Sequence, residues 1–231
     1  MTVRTLRTKV MAVAVTAASL LAIVAAAPAS AGAPAPSATV YVVHGIPGQR
    51  VDVCIAGLGE IASRLAYATR IRQELDPGTY SMKVRKVSRG ACKGDVITKT
   101  ALNLVDQDNV TAVIRIDGGQ PAVTKFDNDV SATPVGDIRL TAAHMMKGGP
   151  VDVWANGVVE IASLVRGSDD AVTLQADVYS VWGSEVGESD PIVGARIIDA
   201  STEGQAFTFV MVGTTVSNSR MVVFKQTVGT V

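Results

Sequence analysis

Histidine, cysteine and tryptophan are scarce: the 231-residue chain carries two of each, and aromatic residues of all kinds make up 4%. Each shortage excludes a chemistry. Two cysteines with no histidine pair beside them cannot supply the four ligands of a structural zinc site, and one histidine per half cannot supply a catalytic one. No Gly-x-Ser-x-Gly elbow occurs; "GSEVG" at Gly183 to Gly187 has its serine in the wrong place. A phosphate-binding loop and a His-Glu-x-x-His helix are also missing. The acidic residues are scattered, so no two carboxylates stand out as the acid and base of a glycosidase. We therefore assign no catalytic residue, no metal and no cofactor, and expect a non-enzymatic protein. Long apolar runs are absent after Val40, so no later segment is expected to span a membrane.

The one long apolar run comes first. Arg4, Arg7 and Lys9 precede Val10 to about Ala27, and Pro28-Ala29-Ser30-Ala31 offers the small residues a signal peptidase reads. Residues 1–31 are thus expected to be a cleaved signal peptide, which implies a secreted, extracellular protein. No cysteine follows to take a lipid. Residues 32–38 read as a Pro/Ala linker too poor in large apolar residues to pack. Export into an oxidising space favours a Cys54–Cys92 disulfide over two buried thiols; its loop of 38 residues is worth about 4 kcal/mol by chain entropy. Net charge is +2 over residues 40–130 and −5 over 131–231, so the processed chain is mildly acidic and nucleic acid is not an expected partner.

What the chain does have is a repeated phrase. "HGIPGQRVDVCIAGLGEIAS" starts at His44 and "HMMKGGPVDVWANGVVEIAS" at His144. Val51-Asp52-Val53 and Glu60-Ile61-Ala62-Ser63 recur at an offset of 100, and Tyr80-Ser81 recurs at 99 as Tyr179-Ser180. A period this long indicates a domain duplication, not a solenoid. We expect repeat 1 over 39–130 and repeat 2 over 131–231, joined near Asp129 to Pro134, where Asn, Asp, Ser, Thr and Pro collect. Alternating apolar residues with turn signals every eight to twelve positions mark both copies as all-β. The expected strands are Val40–His44, Val51–Ile55, Thr79–Val87, Val96–Leu104, Val110–Ile116 and Ala122–Phe126, with counterparts from Ile138 to Phe224. "DPGTY" before a strand is similar to the tyrosine corner of immunoglobulin-like sandwiches. The architecture expected is two tandem immunoglobulin-like, Greek-key β-sandwiches.

His, a Pro/Gly loop, "VDVWANG" and a tyrosine opening a later strand together resemble the secreted bacterial domains of the domain-of-unknown-function family DUF4397. The second copy is the better match; the first has Cys54 where an aromatic is usual and Ala-Gly where Asn-Gly is usual. The resemblance covers the chain after the leader as two copies. It implies a β-sandwich at the bacterial envelope or outside the cell, with no established activity.

Two readings of the repeated phrase compete. His44 with Asp52, and His144 with Asp152, could pair for base chemistry and hydrolysis. Alternation instead puts each histidine at the rim of the apolar face and each aspartate on the opposite one, which favours scaffolding. Tyr80 and Tyr179 belong to the same frame. Trp154 and Trp182 are expected on outward faces, as a stacking platform for sugar rings or as cover for an edge that the disulfide staples in repeat 1. Asp127-Asn128-Asp129 is too small an oxygen set for calcium. Lys83, Arg85, Lys86 and Arg89 form a basic stripe that is either solvated or meets the acidic repeat of this chain or a neighbour. The partner expected is an extracellular or cell-wall glycan or protein, unless the role is purely structural.

Overall fold

The computed structural model describes residues 37–228 and 230–231; the leader expected at 1–31 lies outside them. Among the described residues, every regular element except one 3-10 turn at Val216–Asn218 is a strand. Repeat 1 contributes β1 (Ala38–His44), β2 (Val51–Ile55), β3 (Gly59–Leu65), β4 (Thr69–Leu75), β5 (Gly78–Lys86), β6 (Val96–Leu104), β7 (Asn109–Asp117) and β8 (Gln120–Asp127). Repeat 2 contributes β9 (Asp137–His144), β10 (Val151–Ala155), β11 (Val158–Leu164) and β12 (Asp169–Gln175). It continues with β13 (Asp177–Glu185), β14 (Pro191–Ala200), β15 (Gln205–Val212) and β16 (Arg220–Thr227).

Each repeat folds as a sandwich of two four-stranded sheets. Repeat 1 has the orders β4-β1-β7-β8 and β3-β2-β5-β6, and repeat 2 repeats both as β12-β9-β15-β16 and β11-β10-β13-β14. The all-β sandwich class is as expected. The strand order is its own: β1 lies between β4 and a parallel β7, where an immunoglobulin constant domain uses the order ABED with CFG. Four strands escape the alternation pattern. β3, β4, β11 and β12 are sheet edges, and edges carry charge to discourage further pairing. β4, TRIRQEL, keeps only Ile71 and Leu75 against the core.

Two cores fill the sandwiches. Val40, Val42, Val53, Met82, Val84 and Ile114 are buried in the first, and Leu140, Val153, Val181, Phe209 and Met211 in the second. A third apolar cluster lies between the repeats. It takes the other faces of the same central strands: Tyr41, Val43 and Val113 from repeat 1, with Met145, Val210, Val212, Val222 and Phe224 from repeat 2. The result is four sheets in layers, with the β1 and β9 sheets inside. Tyr41 stacks on Phe224 at 4.3 Å between centroids, and the Arg70 guanidinium covers both rings at 5.5 and 5.2 Å. Asp117 of repeat 1 pairs with its own Arg115 (3.1 Å) and with Arg166 of repeat 2 (3.3 Å). At Gly45 a β-carbon would stand 2.8 Å from the Ile114 carbonyl and 2.9 Å from Val212, so only glycine lets the chains approach here. The described residues accordingly belong to one compact unit.

The hairpin after the Val-Asp-Val strand shows how the duplicate has drifted. Ile55 pairs with Gly59, leaving three loop residues, whereas Ala155 pairs with Val158, leaving Asn156-Gly157. Both of these have positive φ, 49° and 85°, as a two-residue type I′ turn requires. The extra residue slides β3 by one, so Val53 faces Ala62 while Val153 faces Ile161. The identical Glu-Ile-Ala-Ser phrases therefore do not occupy equivalent places. Burial runs in the same order along β3 and β11 at an offset of 99, not 100.

The seam should make the repeats unfold together. Phe224→Ala is expected to cost about 3–5 kcal/mol, with tryptophan emission, which reports only repeat 2, and far-ultraviolet circular dichroism changing at the same denaturant concentration. Two separated transitions would show that the repeats are independent.

Candidate functional site

The repeated residues gather at the loop end of each sandwich. His44 and His144 end β1 and β9 and are fully buried. The ring Nε2 of His44 lies 3.0 Å from the Gln49 carbonyl, and that of His144 lies 2.9 Å from the Gly149 carbonyl. Each imidazole, as its Nε2–H tautomer, donates across the loop that it begins and ties the return to the sheet. Both Nδ1 atoms are buried without a hydrogen-bond partner. Burial pushes both histidines below the usual imidazole range, against the opposing effect of the backbone hydrogen bond; Arg166 and Arg115 push His144 down further.

Asp52 and Asp152 are also buried, and their partners are backbone. Asp52 accepts from the Arg64 amide (2.9 Å), Asp152 from the Ser163 amide (2.8 Å) and, through its other oxygen, from the Gly187 amide (3.0 Å). Arg64 and Ser163 have φ of 50° and 54°. Each aspartate thus holds a bulge of the neighbouring edge strand in a left-handed conformation that L-residues disfavour. The histidine and the aspartate serve different backbone segments, so the structure does not bring them together as a dyad. Tyr80 donates to the Asp76 carbonyl (2.9 Å) and Tyr179 to that of Gln175 (2.7 Å). The corner forms in both repeats; Pro-Gly is dispensable for it.

Cys54 and Cys92 are bonded, with Cα atoms 6.0 Å apart. The bridge lies on the outer face of the β2 sheet, where Cys54 pairs across strands with Lys83. At the matching place in repeat 2, Trp154 pairs with Trp182. The two indoles are half-buried and stack, with centroids 5.8 Å apart and 5° between their planes. Trp154 donates to the Ser184 hydroxyl at 2.8 Å, while the Trp182 indole nitrogen is buried without a partner. Each ring gives one face to the other, so neither presents two open faces.

Sequence reasoning missed a cleft beside these residues. About 520 Å³ of space opens between the β9–β10 loop (Met146 to Pro150), Ser163, Glu185, Val186, Ile192 and the turn at Thr215 and Val216. Repeat 1 closes the corresponding β7–β8 connection with Gly118 and Gly119 alone. Repeat 2 runs from Gly213 to Ser219 between β15 and β16 and so builds an extra wall. The Asn218 side chain ties this wall by accepting from the Thr214 and Thr215 amides at 2.8 and 3.0 Å. Tyr67 of repeat 1 braces it, its hydroxyl donating to the Val212 carbonyl at 3.1 Å and lying against that of Asn218. The excess of Thr, Ser and Asn after Val212, set against the short "DGG" turn of repeat 1, is the sequence signal for this wall.

The oxygen-rich junction is already occupied by the protein. Asn128 exchanges side-chain hydrogen bonds with Thr111 and Asn109, and Asp129 pairs with Arg139 at 3.1 Å. Among the described residues no group of three or more His, Cys, Asp or Glu has metal-binding proximity, and no helix is long and apolar enough to cross a membrane.

The buried histidines set a pH dependence. Their folded pKa lies below the unfolded value of about 6.5, so below that pH the unfolded chain binds more protons and stability is lost. Above about 6.5 the contribution is fully present; below it each histidine removes at most about 1.4 kcal/mol per pH unit. Urea midpoints should fall between pH 7 and pH 5.5, and the fall should shrink in His44→Gln/His144→Gln. An equal slope in that variant would assign it to other groups.

No curated protein matches the chain. Among solved structures it is similar to a carbohydrate-binding module of family CBM26 from Eubacterium rectale Amy13K, in complex with maltoheptaose. The identity is 10%, the match covers 82% of this chain and 97% of that one, and the TM-score is 0.27. It is also similar to the Bacillus anthracis TIE protein, with 8% identity, 80% of this chain and 34% of that one covered, and a TM-score of 0.26. Neither likeness is close enough to bear on function. The family model described as "Domain of unknown function (DUF4397)" matches residues 38–154, all of the first sandwich and the opening strands of the second; the chain belongs to the DUF4397 family.

Proposed function

We propose that this chain is an exported, non-enzymatic binding module of the bacterial envelope or extracellular space, with its recognition surface at the loop end of repeat 2. The observation that carries this reading is the cleft: one frame is used twice, and the second copy adds a braced wall over loops already pinned by His144 and Asp152. Rigid loops on a sheet scaffold are where proteins place recognition. The lining combines apolar Met146, Pro150 and Ile192 with the charged Lys147 and Glu185. It suits a small ligand or chain segment that carries methyl groups beside ionised ones.

The non-enzymatic reading is supported by the use of both histidines and both aspartates to hold backbone. The hydrolase reading would need one of these groups free. The sugar platform of Trp154 and Trp182 remains the competing reading, and their mutual stacking counts against it.

Sedimentation with purified peptidoglycan sacculi, which offer both glycan and short peptides, separates the readings. The expected result is retention of the chain, lost at least tenfold in Val216→Trp, which fills the cleft from an exposed turn, with the melting temperature unchanged. Retention lost in Trp182→Ala but kept in Val216→Trp would move the site to the indoles. No retention of the parent chain would favour a structural module.

A further inference from the structure

Where the edge strand β4 of repeat 1 meets the edge strand β16 of repeat 2, two cavities share Arg70. One, of about 530 Å³, is lined by Tyr41, Arg70, Arg72, Asn109 and Gln226 among others. The second, of about 370 Å³, sets Arg70 and Arg196 among mostly apolar neighbours. Among the described residues no acidic side chain lines either cavity. Register puts these arginines in the groove. Arg70 and Arg72 stand across from Val43 and Tyr41, which belong to the seam. Arg196 stands across from Val181 and shares its side of β14 with Ile198, both core residues, so it faces inward at the edge of its sheet. Lys225, across from Phe207, belongs to the other face of β16.

The groove holds donors that the protein does not use. Arg72 pairs with Glu74 at 2.8 Å, but among the described residues neither Arg70 nor Arg196 has a hydrogen-bond or ion-pair partner. Arg70 is positioned by its stack on Tyr41 and Phe224 instead. A guanidinium held by its plane keeps its N–H fork for an oxyanion. Beneath it runs a relay of amides: Asn128 donates to Asn109 at 2.8 Å and Asn109 donates to Gln226, whose Nε2 is buried without an acceptor. The relay ends in an uncompensated N–H dipole, which adds to the positive field. The frame does not require cations here. In repeat 2 the residues matching Arg70 and Arg72, across from Ala143 and Thr141, are Asp169 and Ala171.

We propose that this groove binds an extended polyol phosphodiester chain, with its phosphates joined through three-carbon units. Exposed arginines hold a single anion weakly, so the ligand must present several. Such a chain has six bonds between successive phosphorus atoms and spans about 7 Å per repeat when extended, the distance between Arg70 and Arg72 along β4. Nucleic acid has a similar charge spacing but is held through bases stacked on aromatic rings. The two rings of this groove are buried and already covered by each other and by Arg70.

Fluorescence anisotropy with a short labelled poly(glycerol phosphate) tests the groove on the purified chain. None of the groove residues lines the cleft of repeat 2, so either site can fail without the other. Arg72→Gln/Arg196→Gln leaves the Arg70 stack in place and should weaken binding about tenfold with the melting temperature kept. Lys83→Gln/Lys99→Gln removes the same charge from a cross-strand pair on the outer sheet of repeat 1 and should bind as the parent does. A parent chain that does not bind overturns the proposal, and so does an equal loss in both variants, which would reduce the effect to net charge. Polygalacturonate or oligothymidylate held as tightly as the polyol chain would overturn the choice of ligand.

Discussion

The central strands of the two inner sheets, β1, β7, β9 and β15, are buried on both sides, and most of the molecule follows from that. In β1, Val40 and Val42 face one core while Tyr41 and Val43 face the seam; in β15, Phe209 and Met211 face inward while Val210 and Val212 face the seam. A strand covered on both faces has no use for a polar alternate position, which is why these segments are nearly continuous apolar runs. Several polar groups that do occur there are partnered: Thr111 bonds Asn128, and Arg115 is held by Thr124 and Asp117, whereas the Nδ1 atoms of His44 and His144 are buried without a partner.

Much of this was legible in the residues. Two copies show in the recurrence of Val-Asp-Val and of Tyr-Ser, the class shows in the alternation of β5 and β6, and the disulfide shows in the cysteine count. The edge strands β3, β4, β11 and β12 were not legible, because charged residues such as those of β4 look like loop when only one face packs, whereas the edges β6 and β8 kept enough alternation to show. The seam was hidden for the opposite reason: an apolar run says that both faces are covered but not by what. The slip of Glu-Ile-Ala-Ser was masked by identity itself, since letters align at 100 where backbone aligns at 99. As for the site, alternation placed the histidines and aspartates on different faces, but the backbone groups each one holds depend on loop paths that the sequence does not specify. The cleft depends on one connection being longer than its counterpart, and length says nothing of where a loop folds.

Repeat 1 and repeat 2 solve one problem with different chemistry. On the outer face beside the Val-Asp-Val strand, one copy ties a long β5–β6 connection to the sheet with a covalent bond. The other covers the same ground with two stacked indoles and a hydrogen bond to Ser184. The covalent tie acts mainly on the unfolded chain by shortening its loops. The aromatic pair acts on the folded state through buried area and ring packing. Only the second is independent of the redox state of the surroundings.

The position of β1 has a mechanical consequence. It is the first strand of the described chain, yet it sits inside its sheet, with seven residues in register with β4 and six with β7. A pull applied through the preceding segment runs along this strand, so the rungs on both sides are loaded together in shear and cannot be peeled one at a time as at an edge. The side chains of Tyr41 and Val43 must leave the seam in the same event. A chain held from that end is anchored by a strand embedded between two neighbours of an inner sheet.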